Sequence, residues 1–135
     1  MKGLRPELWE PIVAATTSEP VLKAAVTLPK SFDWRDKNVI PNAKNQGACG
    51  CCWVFSGTSH IEAVWRIKNS KIISLSEQEI VDCQNPDEYG YGQGCDGGWF
   101  TMVYRYVKAK KGLLSDWDYP FFSGNDGNEG KCKNT

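Results

Sequence analysis

Gln46-Gly47-Ala48-Cys49-Gly50-Cys51-Cys52-Trp53 sets three thiols, a side-chain amide and two glycines within eight residues. A cysteine attacks as the thiolate, and a helix N-terminus favours that form because its N–H groups are unpaired and its dipole is positive there. The apolar residues from Trp53 onward predict a helix over 52–68, which puts Cys52 at or near the first helical position. Attack on a carbonyl creates an oxyanion, and the oxyanion needs donors fixed in advance. The backbone N–H of Cys52 and the side-chain amide of Gln46 are the natural candidates. Gly47 and Gly50 read as the residues that let the chain turn tightly before the helix. The single histidine, His60, is badly placed to serve as a base. Eight residues along one helix is about 12 Å by helical rise, outside hydrogen-bond reach. His60 reads instead as a helix-surface or packing residue.

The elements that must hold this stretch are legible in outline. Trp53, Val54, Phe55, Ile61, Val64, Trp65 and Ile67 spread so widely around the 52–68 helix that it reads as central and mostly buried. A second helix opens at Ser76, where Ser76-Glu77-Gln78-Glu79 fits a capping box. A third runs from about Gly98 to Lys110 with Phe100, Val103, Tyr104 and Val107 on one side; Gly112 suits its stop. Phe32-Asp33-Trp34-Arg35 is suited to a short buried segment, and residues 84–98 and 123–131 read as loops. Residues 1–27, broken by Pro6, Pro11 and Pro20, look like a tail or linker.

The chain has 135 residues, enough for one ordinary domain, with a globular composition and a formal net charge of zero. That balance gives no basic footprint for nucleic acid, and no apolar run approaches the ~20 residues of a membrane span. Six cysteines point to an oxidising compartment, although the first residues lack the apolar core of a secretory signal. An N-terminus lying further upstream reconciles the two. Cys49-x-x-Cys52 matches a redox pair, but the βαβ setting is missing. Cys83, Cys95 and Cys132 lack paired metal-ligand spacing, so neither a metal nor another cofactor is expected. Gly92-Gln93-Gly94-Cys95-Asp96-Gly97 fits a dinucleotide fingerprint only formally, because it follows a polar loop instead of a strand.

From about Leu28 onward the chain resembles the papain-like cysteine proteases. The resemblance rests on Phe32-Asp33-Trp34-Arg35, Lys44-Asn45-Gln46-Gly47, Cys49-Gly50-Cys51-Cys52-Trp53, Leu75-Ser76-Glu77-Gln78-Glu79, Asp82-Cys83, Cys95-Asp96-Gly97-Gly98 and Tyr119-Pro120, in family order. It implies an α+β papain-like fold, of which this chain covers mainly the helical N-terminal domain with its central active-site helix. It implies Cys52 as the nucleophile and Gln46 as the oxyanion-hole side chain. Gly50, Gly97 and Gly98 would let a peptide or protein substrate approach the backbone, with Trp99 and Phe100 as apolar wall. It pairs Cys49 with Cys95 and Cys83 with Cys132. Residues 1–27 correspond to a propeptide remnant or linker, and 28–135 to the N-terminal half of the peptidase. A lysosomal, vacuolar or secreted location follows from the disulfides and the family.

Two departures from the family pattern stand out. Cys51 stands where Ser or Ala is usual, either as a small residue in a snug spot or as a redox partner of Cys52 or of the Cys49 bridge. The family's His and Asn follow the nucleophile by about 130–150 residues, so both fall outside these 135 residues, in a C-terminal domain that becomes a required partner. The need is quantitative. Thiols of this family owe about 4–5 pKa units to their setting, or about 6 kcal/mol; a helix N-terminus supplies up to about 2. The expected function is therefore a cysteine-type endopeptidase whose base lies elsewhere. The alternative is a truncated, non-catalytic homologue acting as a peptide-binding or decoy protein.

Overall fold

Apolar side chains at helical spacing and two bridged loops draw the middle of the chain together. The computed structural model describes residues 27–85, 87 and 92–133. The expectations for residues 1–26, and for positions 86 and 88–91 of the predicted 84–98 loop, lie outside the described residues. In chain order come a 3₁₀ turn at Trp34–Lys37, α1 (Cys52–Asn69), α2 (Glu77–Cys83), a 3₁₀ turn at Gly94–Asp96 and α3 (Phe100–Lys110). Extended pairing among the described residues is a single antiparallel bridge between Leu75 and Ser115. Val54 of α1, Ile80 and Val81 of α2, and Met102, Val103 and Tyr106 of α3 form the core, which also takes in Cys49 and Cys51.

α1 starts without a side-chain cap. The Cys51 carbonyl accepts the N–H groups of Val54 and Phe55 at 2.9 and 3.3 Å. The helix stops at Ser70, which takes a left-handed φ of 56° and donates its N–H to Arg66. It is not mostly buried. Trp53, Val54, Gly57, Thr58 and Glu62 are covered, while Val64, Trp65 and Ile67 stay exposed. α2 and α3 cover one side only of α1, so its last two turns present an apolar face. An open groove of about 380 Å³ runs past Val64 and Trp65 to Tyr104, and another of about 550 Å³ lies between α1 and residues 40–44; His60 lines both.

Three local expectations change. Phe32 and Trp34 are exposed, not buried. Asp33 accepts the Arg35 N–H at 2.8 Å and pairs with its guanidinium, and this local cap makes a surface turn on which the two rings pack edge to face at 4.8 Å. Only half of the capping box at Ser76 forms. Ser76 Oγ accepts the Glu79 N–H, but the Glu79 carboxylate turns to the Leu114 N–H and the Tyr106 hydroxyl, and the Ser76 N–H goes to the Leu114 carbonyl. α3 begins at Phe100 and buries Met102, Val103 and Tyr106, with Phe100 at the exposed edge. Its left-handed cap is Lys111, at φ 62°, and not Gly112.

α1 and α3 pack closely where Gly57 faces Val103. A Cβ at Gly57 would lie 2.6 Å from both Cβ and Cγ2 of Val103. Alanine in place of glycine should gain about 1 kcal/mol of helix propensity, while overpacking costs about 1–3 kcal/mol. Gly57→Ala should therefore destabilise the chain by about 1 kcal/mol, read from the urea midpoint at constant slope; a stabilised variant would show that α3 is free to move away.

Candidate active site

The two adjacent free cysteines face opposite environments. Cys52 is the first residue of α1 and its thiol is exposed; Cys51 precedes the helix, fully buried among core side chains. The residue before a helix start points into the packing while the next turns out, so one residue of chain separates a sealed thiol from an open one. Burial pushes the Cys51 thiol up to about 12, and the nearby charges of Cys52 and Glu77 add to the rise. Cys49 is bridged to Cys95, so Cys51 has not displaced it; a second bridge joins Cys83 to Cys132.

Ahead of the helix, the chain turns at Gly47, which has a left-handed φ of 59°. Gly50 has no such conformation, so only one of the two glycines expected to turn the backbone does so. Gln46 is half-buried, and its Nε2 donates to the Cys49 carbonyl at 2.8 Å, which leaves one amide hydrogen to point elsewhere. The turn leans on a neighbouring loop: the Ala48 N–H donates to the Gly124 carbonyl at 2.9 Å.

The other side of the site is the stretch from Gly94 to Phe100. The Gly50 N–H donates to the Cys95 carbonyl at 2.9 Å, and Trp53 Nε1 donates to the Gly94 carbonyl at 3.2 Å. With the Cys49–Cys95 bridge, these contacts fasten the glycine stretch to the start of α1. Gly97 has φ 113°, and a Cβ at Gly98 would lie 2.7 Å from the Trp53 ring. The Trp53 indole thus requires glycine at 98, a packing reason the sequence did not disclose. Trp99 is half-buried just before α3 with its ring 5.3 Å from that of Phe100, and its buried Nε1 has no partner among the described residues. His60 stands apart, its Nδ1 in a short hydrogen bond with the Tyr104 hydroxyl.

A family model described as papain family cysteine protease matches residues 28–135. The chain belongs to the papain family of cysteine proteases. It is 41% identical over 106 residues to a senescence-specific cysteine protease of Oryza sativa subsp. indica, covering 78% of this chain and 29% of that one. It is 42% identical over 95 residues to cathepsin S of Mus musculus, covering 70% and 28%. Among solved structures, the digestive procathepsin L2 proteinase from Tenebrio molitor larval midgut superposes with a TM-score of 0.72 at 38% identity, over 84% of this chain and 34% of that one. The chain thus spans less than a third of the length of these curated relatives, and its helices correspond to the helical N-terminal part of the papain fold.

Two residues before Gln46, Lys44 enters a polar cluster with the buried Thr58, Glu62 and Glu77. Lys44 Nζ donates to Glu77 at 2.7 Å and Glu62 at 3.0 Å. Thr58 Oγ1 donates to the same Glu77 oxygen at 2.8 Å, and the Leu75 N–H donates to Glu62 at 2.8 Å. Burial pushes the Glu77 carboxyl up while Lys44 and Thr58 pull it back. Burial also pulls the Lys44 ammonium down, but Glu77 and then Glu62 outweigh it and leave Lys44 above its ordinary value. In the sequence the cluster shows only as a lysine and two glutamates spread over 33 residues, which no local pattern connects.

Two buried acids titrate late. Cys51 and Tyr119 both rise to about 12, Tyr119 through burial and then its hydrogen bond to Asp82. Each native value lies above the ordinary one of 9.0 or 10.0, so each contribution to stability is complete below that ordinary value. Each is then lost as pH climbs toward 12. Thermal stability should fall across pH 9 to 12, and Cys51→Ala and Tyr119→Phe should each flatten part of the fall; an unchanged profile in both variants would count against buried, protonated groups.

Proposed function

We propose that this chain is the nucleophile-bearing part of a cysteine peptidase that hydrolyses peptide bonds through an acyl-enzyme on Cys52. The observation that carries this reading is the exposed thiol at the first residue of α1, preceded by a turn in which the Gln46 amide is tethered to the Cys49 carbonyl. Cys52 Sγ would attack the scissile carbonyl carbon. The oxyanion would be met by the Cys52 N–H and the remaining Gln46 amide hydrogen. The peptide C–N bond would then break with a proton delivered to the amine, and water would cleave the thioester. Gly98 and the half-buried Trp99 would border the substrate backbone and one of its side chains, with Gly97, Gly50 and Phe100 completing that wall. The proton carrier is the family's histidine, oriented by its asparagine, from a domain beyond these residues. An oxidising location such as a lysosome, a vacuole or the cell exterior suits two disulfides.

The pure 135-residue chain should alkylate once with iodoacetamide, at Cys52, and leave a fluorogenic dipeptidyl amide uncleaved, while the protein extended by its downstream coding sequence should cleave it. Robust cleavage by the short chain would refute the need for an outside base. No cleavage by the extended protein, with peptide still bound, would establish the decoy reading.

The family match from residue 28 also supports a processing boundary near Leu28, with residues 1–27 as propeptide remnant or linker. N-terminal sequencing of the protein isolated from its source should begin within a few residues of Leu28, and a start far from there would remove the assignment.

A further inference from the structure

Gln78, on α2, lies outside the candidate site, yet its amide is fully engaged. Its Oε1 accepts the N–H groups of Phe122 and Ser123 at 2.9 and 3.0 Å. Its Nε2 donates to Ser123 Oγ and to Asp82 Oδ1, each at 2.7 Å. Two lone pairs and two hydrogens are the whole capacity of a side-chain amide, so this one can hold a single orientation. Gln78 and Ser123 are both fully buried, so losing any of these bonds leaves a polar group without water.

The residues that Gln78 holds form the loop that braces Gln46. In the turn that follows, the N–H groups of Asn125 and Gly127 donate to the carbonyls of Phe122 and Ser123. Gly124 then presents its carbonyl to the Ala48 N–H at 2.9 Å. The contact is tight from both sides: a Cβ on Gly47 would lie 2.3 Å from the Gly124 backbone oxygen, and one on Gly124 would lie 3.1 Å from the Gln46 backbone oxygen. The path from α2 to the oxyanion-hole candidate therefore has three links: amide to loop backbone, loop carbonyl to Ala48, and Ala48 to Gln46 two residues earlier.

We infer that Gln78 is a positioning residue for the Gln46 amide, acting through the 122–124 backbone. The inference rests on the proposed role of Gln46. Positioning matters here because an oxyanion donor works only if it is already aimed when charge develops, and a displacement of about 1 Å can cost about 100-fold in rate.

The test uses the ¹⁵N-labelled 135-residue chain carrying Gln78→Met or Ser123→Ala, together with the extended protein carrying the same changes or Gln46→Ala. Gln78→Met should shift the Gln46 side-chain amide signals and speed Ala48 N–H exchange about tenfold or more, leaving α3 amides within about twofold. Ser123→Ala removes one of the four partners and should move the same signals in the same direction by less. It carries the test if Gln78→Met does not fold. In the extended protein, Gln78→Met or Ser123→Ala should lower kcat for a dipeptidyl amide several-fold with KM within about twofold, because the loss falls on the transition state. Unmoved Gln46 signals, or α3 exchange rising as much as that of Ala48, would overturn the coupling. An unaltered kcat in Gln46→Ala, with the signals still coupled, would instead overturn the role assigned to Gln46.

Discussion

Three consecutive polar side chains that have no access to water govern the rest of the structure. Glu77, Gln78 and Glu79 on α2 are exposed by 1%, 0% and 2%. A buried carboxylate or amide without partners costs several kcal/mol, so each must find donors, and a seven-residue helix cannot supply them. Glu77 draws Lys44 and Thr58; Gln78 draws the backbone at 122–123; Glu79 draws Leu114 and Tyr106. The next turn repeats the device, where Asp82 takes the Tyr119 hydroxyl, the Gly130 N–H and Gln78. Segments with little regular structure of their own thus take their places from the polar requirements of α2.

The site inherits its shape from this arrangement. One side of the Gln46 turn rests on the 122–127 loop, and Lys44, two residues before Gln46, is anchored on two carboxylates. The opposite side is set by Trp53, whose ring fills the space below Gly98 and whose Nε1 holds Gly94. Glu129 closes the circuit: it accepts the Cys95 N–H at 3.1 Å, and its carboxylate occupies the place a Cβ on Gly94 would need. The segment from Tyr119 to Cys132 therefore touches both walls while contributing no candidate catalytic group.

Much of the framework was legible because it depends on short-range pattern. The start of α1, its length and the cap at Ser76 follow from apolar spacing and one hydroxyl. What escaped depends on distance along the chain. Glu79 sits where a capping box would use it, yet the Leu114 N–H, 35 residues away, takes its carboxylate. Phe32 and Trp34 look like core by composition, but a carboxylate two residues from Arg35 turns the segment to the surface. The stripe on α3 holds at Val103, with Tyr104 and Val107 packed at the margin of the core, but Met102 and Tyr106 are the other buried positions and Phe100 lies at the exposed edge. The helix start at Cys52 was readable; the reason for glycine at 98 was not, because it is the volume of a ring 45 residues earlier.

The bridge between Cys49 and Cys95 bears on how the chain reaches its native state. Cys49, Cys51 and Cys52 lie within four residues, so a bond from Cys95 to any of them closes a loop of nearly the same length. Loop-closure entropy varies with the logarithm of length and cannot distinguish the three. The choice must be made by packing, once Cys51 enters the core and α1 carries Cys52 outward. Until then, mispaired isomers compete on equal terms, and thiol–disulfide exchange must resolve them. Cys51, adjacent to Cys52, thus places a burden on oxidative folding, and the rate of thiol–disulfide exchange governs how quickly Cys52 is left free.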